Sequence, residues 1–255
     1  MCLILFAHRS HSRYPLVLAA NRDEFFDRPT APAHFWPEAP EVLAGRDLRL
    51  GGTWLGLTRG GRLALLTNYR DPAQPGGGRS RGEAVSSFLR GGESPAEFLR
   101  RVREEAAAYK DFNLVVGDRT GLGYFGSRDG AVRTLAPAIY GLSNRLLDTP
   151  WPKVARGKQG LERLLRSEEE IDPEALFALL ADRHVPADAE LPQTGIGPEW
   201  ERLLAPAFIR APGYGTRSST VILIDRTGGA LFVERTFGVD PADYSEVRQS
   251  FRLLC

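Results

Sequence analysis

The sequence predicts an α+β fold of four layers, an αββα sandwich in which two antiparallel sheets pack face to face under outer helices. Three observations predict it. The order along the 255 residues is strands, two helices, strands, two helices, strands. That is not the strict βαβ alternation of a doubly wound parallel sheet. The strands are joined by short glycine-bearing turns of hairpin length, such as Arg59-Gly60-Gly61 and Arg226-Thr227-Gly228-Gly229. No internal repeat or low-complexity linker divides the chain, so residues 1–255 read as a single domain.

Each element has its own signal. Cys2–Ala7 is an apolar strand, and after the polar turn His8–Tyr14 a second strand runs Leu16–Ala20. Trp54–Leu57 and Leu63–Thr67 flank the first of those turns and form a hairpin; Pro75-Gly76-Gly77-Gly78 ends the block. Ser80-Arg81-Gly82-Glu83 and Ser94-Pro95-Ala96-Glu97 have the form of capping boxes, the second with proline at the first helical position. Phe98, Leu99, Val102 and Ala106 then recur at helical spacing. Strands resume at Phe112–Val116, Leu122–Phe125 and Ala131–Leu135. Helices follow over about 151–166 and 173–183, the latter started by Asp172-Pro173-Glu174. Residues 184–200 form a Pro/Gly-rich loop. The chain closes with Thr220–Ile224, Leu231–Arg235 and a strand near 247–254.

Composition excludes several functions. Hydrophobic content of 42% and charged content of 25% are those of a soluble globular protein. A net charge of +1 argues against nucleic acid or an anionic membrane as the main partner. No apolar run approaches the ~18 residues of a membrane span. The start lacks a basic n-region, and His8-Arg9 ends the apolar stretch, so no secretory signal is read and the expected compartment is the cytoplasm. Two cysteines, Cys2 and Cys255, cannot build a disulfide framework. The four histidines form no metal motif, and no cofactor is called for. Of 33 basic residues only Lys110, Lys153 and Lys158 are lysine, Met1 is the sole methionine, and asparagine and glutamine occur four times each. That skew fits a thermophile, although GC-rich coding also favours arginine.

The chemistry is expected at the amino end. An initiator methionine before a residue as small as cysteine is normally trimmed. Trimming of Met1 leaves Cys2 with both a thiol and a free α-amine, and an amine titrating near pH ~7.7–8 can serve the thiol as base. Nucleophile and base then share one residue, as in N-terminal-nucleophile (Ntn) hydrolases. The bland alternative for Cys2 is a small buried hydrophobe on a strand. Asparagine is scarce, and Asn21, Asn68 and Asn144 each follow an apolar stretch, where a side-chain amide can donate to a developing oxyanion. In Asn21-Arg22-Asp23-Glu24 an extended backbone puts Asn21 and Asp23 on one face and Arg22 and Glu24 on the other. Asp23 is then placed to contact the Cys2 amine from the neighbouring strand. Trp36, Trp54 and Trp151 read as core or as ligand platform, and Tyr214, between Gly213 and Gly215, reads as lining a pocket.

Met1-Cys2, the Asn21-Arg22-Asp23-Glu24-Phe25 run and Arg28-Pro29 resemble the NRDE family, also called the transport-and-Golgi-organisation family. The resemblance continues through Gly51-Gly52-Thr53-Trp54-Leu55-Gly56, Thr67-Asn68-Tyr69, Tyr140-Gly141-Leu142-Ser143-Asn144, Thr149-Pro150-Trp151 and Pro212-Gly213-Tyr214-Gly215-Thr216-Arg217, and so spans the whole chain. It implies an Ntn-hydrolase-like fold. It also implies links, in some members, to haem mobilisation or to lipid and acyl-CoA metabolism. A more distant likeness, to cysteine Ntn amidases of conjugated bile acids and penicillin V, implies catalytic roles. Cys2 is the nucleophile, Asp23 binds the amine, Asn68 forms the oxyanion hole, and Asn144 and Arg217 are further pocket residues. Those amidases carry an arginine just before Asn-x-Asp, where this chain has Ala20. Arg22 and Arg217 are therefore the two candidates for the cation expected to lower the thiol pKa.

The leading expectation is hydrolysis of a non-peptide C–N bond in a small-molecule amide. Cys2, Asp23, Asn68, Asn144 and Arg217 are its catalytic set, and Asn21, Arg22, Trp54 and Tyr214 contact the substrate. The rival reading is a non-catalytic carrier of haem or an acylated metabolite on the same fold. A glutaminase half of an amidotransferase is disfavoured, because no second domain uses the ammonia.

Overall fold

The computed structural model describes residues 2–73, 78–167, 170–240 and 242–254. Expectations for Met1, for residues 75–77 and for Cys255 lie outside the described residues. The first block holds β1 (Cys2–His8), β2 (Leu16–Phe25), β3 (Thr30–Trp36), β4 (Ala39–Asp47), β5 (Leu55–Thr58) and β6 (Leu63–Asn68). Helices α1 (Arg81–Arg90) and α2 (Pro95–Glu104) lead to β7 (Phe112–Asp118), β8 (Gly121–Gly126), β9 (Ala131–Thr134) and β10 (Ala138–Leu142). After α3 (Pro152–Ser167), α4 (Pro173–Leu180) and the short α5 (Pro198–Leu203), the chain closes with β11 (Arg210–Ala211), β12 (Tyr214–Ile224), β13 (Gly229–Phe237) and β14 (Tyr244–Arg252).

The strands form two antiparallel sheets, in the orders β10-β1-β2-β12-β13-β14 (with β11 beside β12) and β3-β4-β5-β6-β7-β8-β9. Side-chain alternation then builds three apolar interfaces between four layers. Ile4, Phe6, Leu16, Leu18 and Ala20 of one sheet meet Leu55, Leu57, Leu63 and Leu65 of the other. Ala64, Leu66, Leu114 and Val116 face outward onto Val85, Phe88, Phe98 and Leu99 of α1 and α2. Leu3, Leu5, Val17 and Ala19 face outward onto Val154, Leu161, Leu176 and Leu180 of α3 and α4. The αββα sandwich is the expected fold, and the period of two along β1 and β6 is what divides the layers.

Local expectations meet mixed outcomes. Ser94 caps α2 with the full reciprocal box, but Ser80 makes no side-chain cap on α1. Glu83, which that box required, pairs with Arg79 instead. Part of the 184–200 loop is helical, since α5 begins at Pro198. Four strands, β3, β4, β10 and the two-residue β11, were not expected. Of the candidate core tryptophans, Trp36 is fully buried.

A buried carboxyl makes a polar link between the sheets. Glu234 of β13 is 1% exposed; it accepts from the Ala33 backbone N–H of β3 at 2.7 Å and from Thr220 Oγ1 at 3.2 Å. Burial pushes its carboxyl from 4.5 up to about 7. The folded chain therefore holds this proton more tightly than the unfolded one. Its contribution is full below pH 4.5 and is lost as pH rises through about 7. Glutamine keeps the acceptor for Ala33 without a charge. Glu234→Gln is expected to stabilise the protein at pH 8 by up to about 3 kcal/mol and to leave it unchanged at pH 4. Urea unfolding at both pH values checks this, and equal effects at the two would refute it.

Candidate active site around Cys2

Cys2 opens β1 directly opposite Arg22 of β2, so the two side chains share the face between the sheets. Ser218 of β12 lies opposite Arg22 in turn, completing a row of three. β2 does not end at Ala20, as the sequence implied, but runs on through Phe25. Asn21–Glu24 are held extended because β1 and β12 both hydrogen-bond to that stretch. Asn21 and Asp23 consequently point the other way, toward the outer helices.

The main chain of Cys2 is tied to the second sheet through asparagine. Its nitrogen donates to Asn144 Oδ1 at 3.4 Å, and its carbonyl accepts from Ser143 Oγ at 2.9 Å. Asn144 Nδ2 donates to the Asn68 carbonyl at 2.8 Å, and the Asn144 carbonyl accepts from the Arg70 N–H at 2.8 Å. The Asn144 amide is thus fully committed as a tether, and it is 0% exposed. Asn68 ends β6, and its side chain lines the same cavity as Cys2 without a hydrogen bond among the described residues.

That cavity has a volume of about 260 Å³ and is lined by Cys2, Arg22, Asp23, Glu24, Trp54, Leu66, Asn68 and the start of α1, among others. Trp54 lies under the Arg22 guanidinium, 4.1 Å from ring centroid to carbon, which fixes the cation beside the thiol. In the glycine pair Gly51-Gly52 the first has a positive φ of 76° and the second a packing reason. A Cβ on Gly52 would stand 2.6 Å from the Gly82 backbone, so only glycine lets the Trp54 loop abut α1.

The buried carboxylate is held from behind. Asp23, 2% exposed, accepts from Thr216 Oγ1 at 2.7 Å. Burial pushes its carboxyl up, and the nearby Lys153 ammonium opposes that shift. Lys153 is itself buried, donates to the Leu204 carbonyl at 3.0 Å and is pulled down to about 8 by burial, with Asp23 resisting. The sequence carried a clue to Lys153, one of three lysines among 33 basic residues. Lys153→Met leaves Asp23 without this cation and is expected to destabilise the fold by about 3 kcal/mol. Urea unfolding at pH 7 measures it, and a loss below 1 kcal/mol (roughly a surface pair) would sink the electrostatic coupling.

Other expected site residues are placed elsewhere. Arg217 does not reach Cys2. The bulge in β12 between Thr216 and Ser218 takes it out of register, and its guanidinium donates to the carbonyls of Phe25, Phe26 and Arg28 at 2.9, 3.1 and 3.3 Å. Arg22 is the arginine beside the thiol. Asn21 spends its amide on the Leu180 and Ala207 carbonyls and on Ser219 Oγ, so it joins layers rather than meeting a ligand. Tyr214 packs with Leu204 and Ile209 and edge-on to Phe25, on the helix side of the sheet and away from the cavity. The thiol pKa also departs from expectation. Burial pushes Cys2 above an ordinary thiol, Asp23 adds to this, and Arg22 only partly opposes it. Desolvation outweighs the cation.

Among the described residues no group of three His, Cys, Asp or Glu side chains could hold a metal ion. No described helix is long and apolar enough to cross a membrane. A family model described as Transport and Golgi organisation 2 matches residues 1–238. The Transport and Golgi organization protein 2 homolog of Bos taurus is 40% identical, with 99% of each chain covered. The Homo sapiens homolog is 38% identical, covering 92% of this chain and 93% of that one. The Drosophila melanogaster protein is 30% identical over 94% of each. Among solved structures, a mutant conjugated bile acid hydrolase from Clostridium perfringens has a TM-score of 0.53 at 9% identity, covering 99% of this chain and 97% of that one. That likeness is one of fold.

Proposed function

The chain belongs to the Transport and Golgi organisation 2 family, and we propose that this member is a cysteine Ntn amidohydrolase acting on a non-peptide amide. The observation that carries the reading is the setting of Cys2. Its nitrogen faces a side-chain acceptor, Asn144 Oδ1, while its thiol faces a cavity that also holds the uncommitted amide of Asn68. After Met1 removal that nitrogen is a primary amine beside its own thiol. Burial pushes the thiol up, and the amine takes the thiol proton as sulfur attacks. The S–C bond forms, the carbonyl oxygen becomes an oxyanion that Asn68 receives, and Arg22 supplies positive charge nearby. The C–N bond then breaks, and the leaving amine departs with the proton held by the α-ammonium. Water, giving its proton to the α-amine, hydrolyses the thioester and restores Cys2. Asp23, beneath the same strand end, favours the ammonium form during the cycle.

The premise is a free amine on Cys2. Intact-mass measurement of the purified protein is expected to show a chain lighter by one methionine and without acetylation. A retained Met1 or a blocked Cys2 removes the chemistry.

A further inference from the structure

The mouth of the cavity has more positive charge than its own acids answer. Among the acids that line it, Asp47 is bound by Arg28 at 2.5 Å, and Glu24 sits between Arg28 and Arg22 at 3.7 and 4.0 Å. Arg79 turns away to Glu83 and Glu105 at 2.6 and 2.8 Å. Two lining cations are left, Arg81 and Lys110. Among the described residues neither forms an ion pair, a side-chain hydrogen bond or a ring contact. Arg81 is half-buried, and its guanidinium lies within the electrostatic reach of the Cys2 sulfur. Its place is fixed, because Gly82 next to it abuts the Thr53 backbone, with Thr53 N–H donating to the Gly82 carbonyl at 3.3 Å. Ser80 also lines the cavity, and its hydroxyl is not spent on capping α1.

Arg81 shares the one distant carboxylate of Glu24 with Arg28 and Arg22, and has no ion pair of its own among the described residues. A half-buried guanidinium so placed is costly unless a ligand supplies a closer charge. From the unanswered pair we infer that Arg81 and Lys110 form an oxyanion subsite, so that the amide hydrolysed at Cys2 carries a carboxylate or phosphate a few bonds from its C–N bond. The inference rests on the amidase reading for what the ligand is, but not for the binding itself. A cavity of about 260 Å³ admits a short acyl chain and a small charged head. The planar Arg81 fork suits two oxygens of one anion, and Lys110 adds a point charge.

The test uses the Cys2→Ala protein, so that nothing turns over, and isothermal titration with three amides. These are N-hexanoylglycine (a carboxylate), N-hexanoyl-O-phosphoethanolamine (a phosphate) and N-hexanoylglycinamide (neutral). At least one anion is expected to bind about tenfold or more tightly than the neutral amide. Arg81→Gln and Lys110→Gln are each expected to erase most of that preference while leaving the neutral amide unchanged, which also shows that the variants fold. The carboxylate and phosphate arms tell the two sources apart. Binding of neither anion, equal affinity for charged and neutral amides, or indifference to both substitutions overturns the subsite. Failure of the chemistry reads out separately. Anion-selective binding by a protein that retains Met1 removes the hydrolase and leaves the subsite standing.

Discussion

Cys2→Ala is expected to lower amide hydrolysis by about 10⁴-fold or more while leaving the fold in place, because it removes the only atom proposed to bond to the substrate. The structure explains why stability survives. The links that anchor this residue use its main chain, from its nitrogen to Asn144 and from its carbonyl to Ser143. Both persist in alanine, and the lost sulfur costs about 1 kcal/mol. Alanine is also small enough for Met1 to be trimmed, so the variant keeps its amine and isolates the thiol. The measurement is release of amine from a panel of N-acyl amides, with thermal melts as control. Equal turnover by Cys2→Ala and wild type would sink the nucleophile. If the wild type cleaves none of them and binds haem or an acyl-CoA as tightly as the variant does, the protein is a carrier.

How much of this was legible in the sequence depended on whether neighbouring strands had to be known. The layers were readable, because the order of strand blocks and helix pairs, the hairpin turns and the helical spacing in α2 are all local signals. Strands β3 and β4 were not. Pro32 lies inside β3 and reads as a breaker, yet β3 is the edge of its sheet, where a missing N–H costs least. Its pairing with β4 also shifts register at Ala31/His34 and Phe35/Trp36, which blurs alternation. At the site, sequence spacing alone put Asn21 and Asp23 on one face of β2. It could not choose between Arg22 and Arg217, since that choice is made by a bulge in β12, a strand some 190 residues away in sequence. The sign of the thiol shift was equally hidden. It depends on how much water reaches Cys2, which is 8% exposed, and burial outweighs the arginine next to it.

The second large effect separates two asparagines that the sequence placed in one catalytic set. Asn68→Ala is expected to cut the rate by on the order of 10²–10³ with little change in melting temperature, since an oxyanion donor acts only as charge develops. Among the described residues the side chain makes no hydrogen bond that would give it another task. The Asn68 carbonyl holds Asn144, and that main-chain contact survives truncation. Asn144 is the reverse case. Its side chain bridges Cys2 of one sheet to Asn68 of the other, and Asn144→Ala leaves two buried main-chain groups without partners. That substitution is expected to lower stability by about 1–3 kcal/mol, and any loss of rate follows from a displaced Cys2. Steady-state kinetics and urea unfolding on both variants decide the matter. Should Asn68→Ala lose less than about tenfold in rate, or lose it together with stability, the oxyanion must be held by backbone amides instead. Such an outcome would leave Asn68 as a second member of the tether rather than a donor to the reaction.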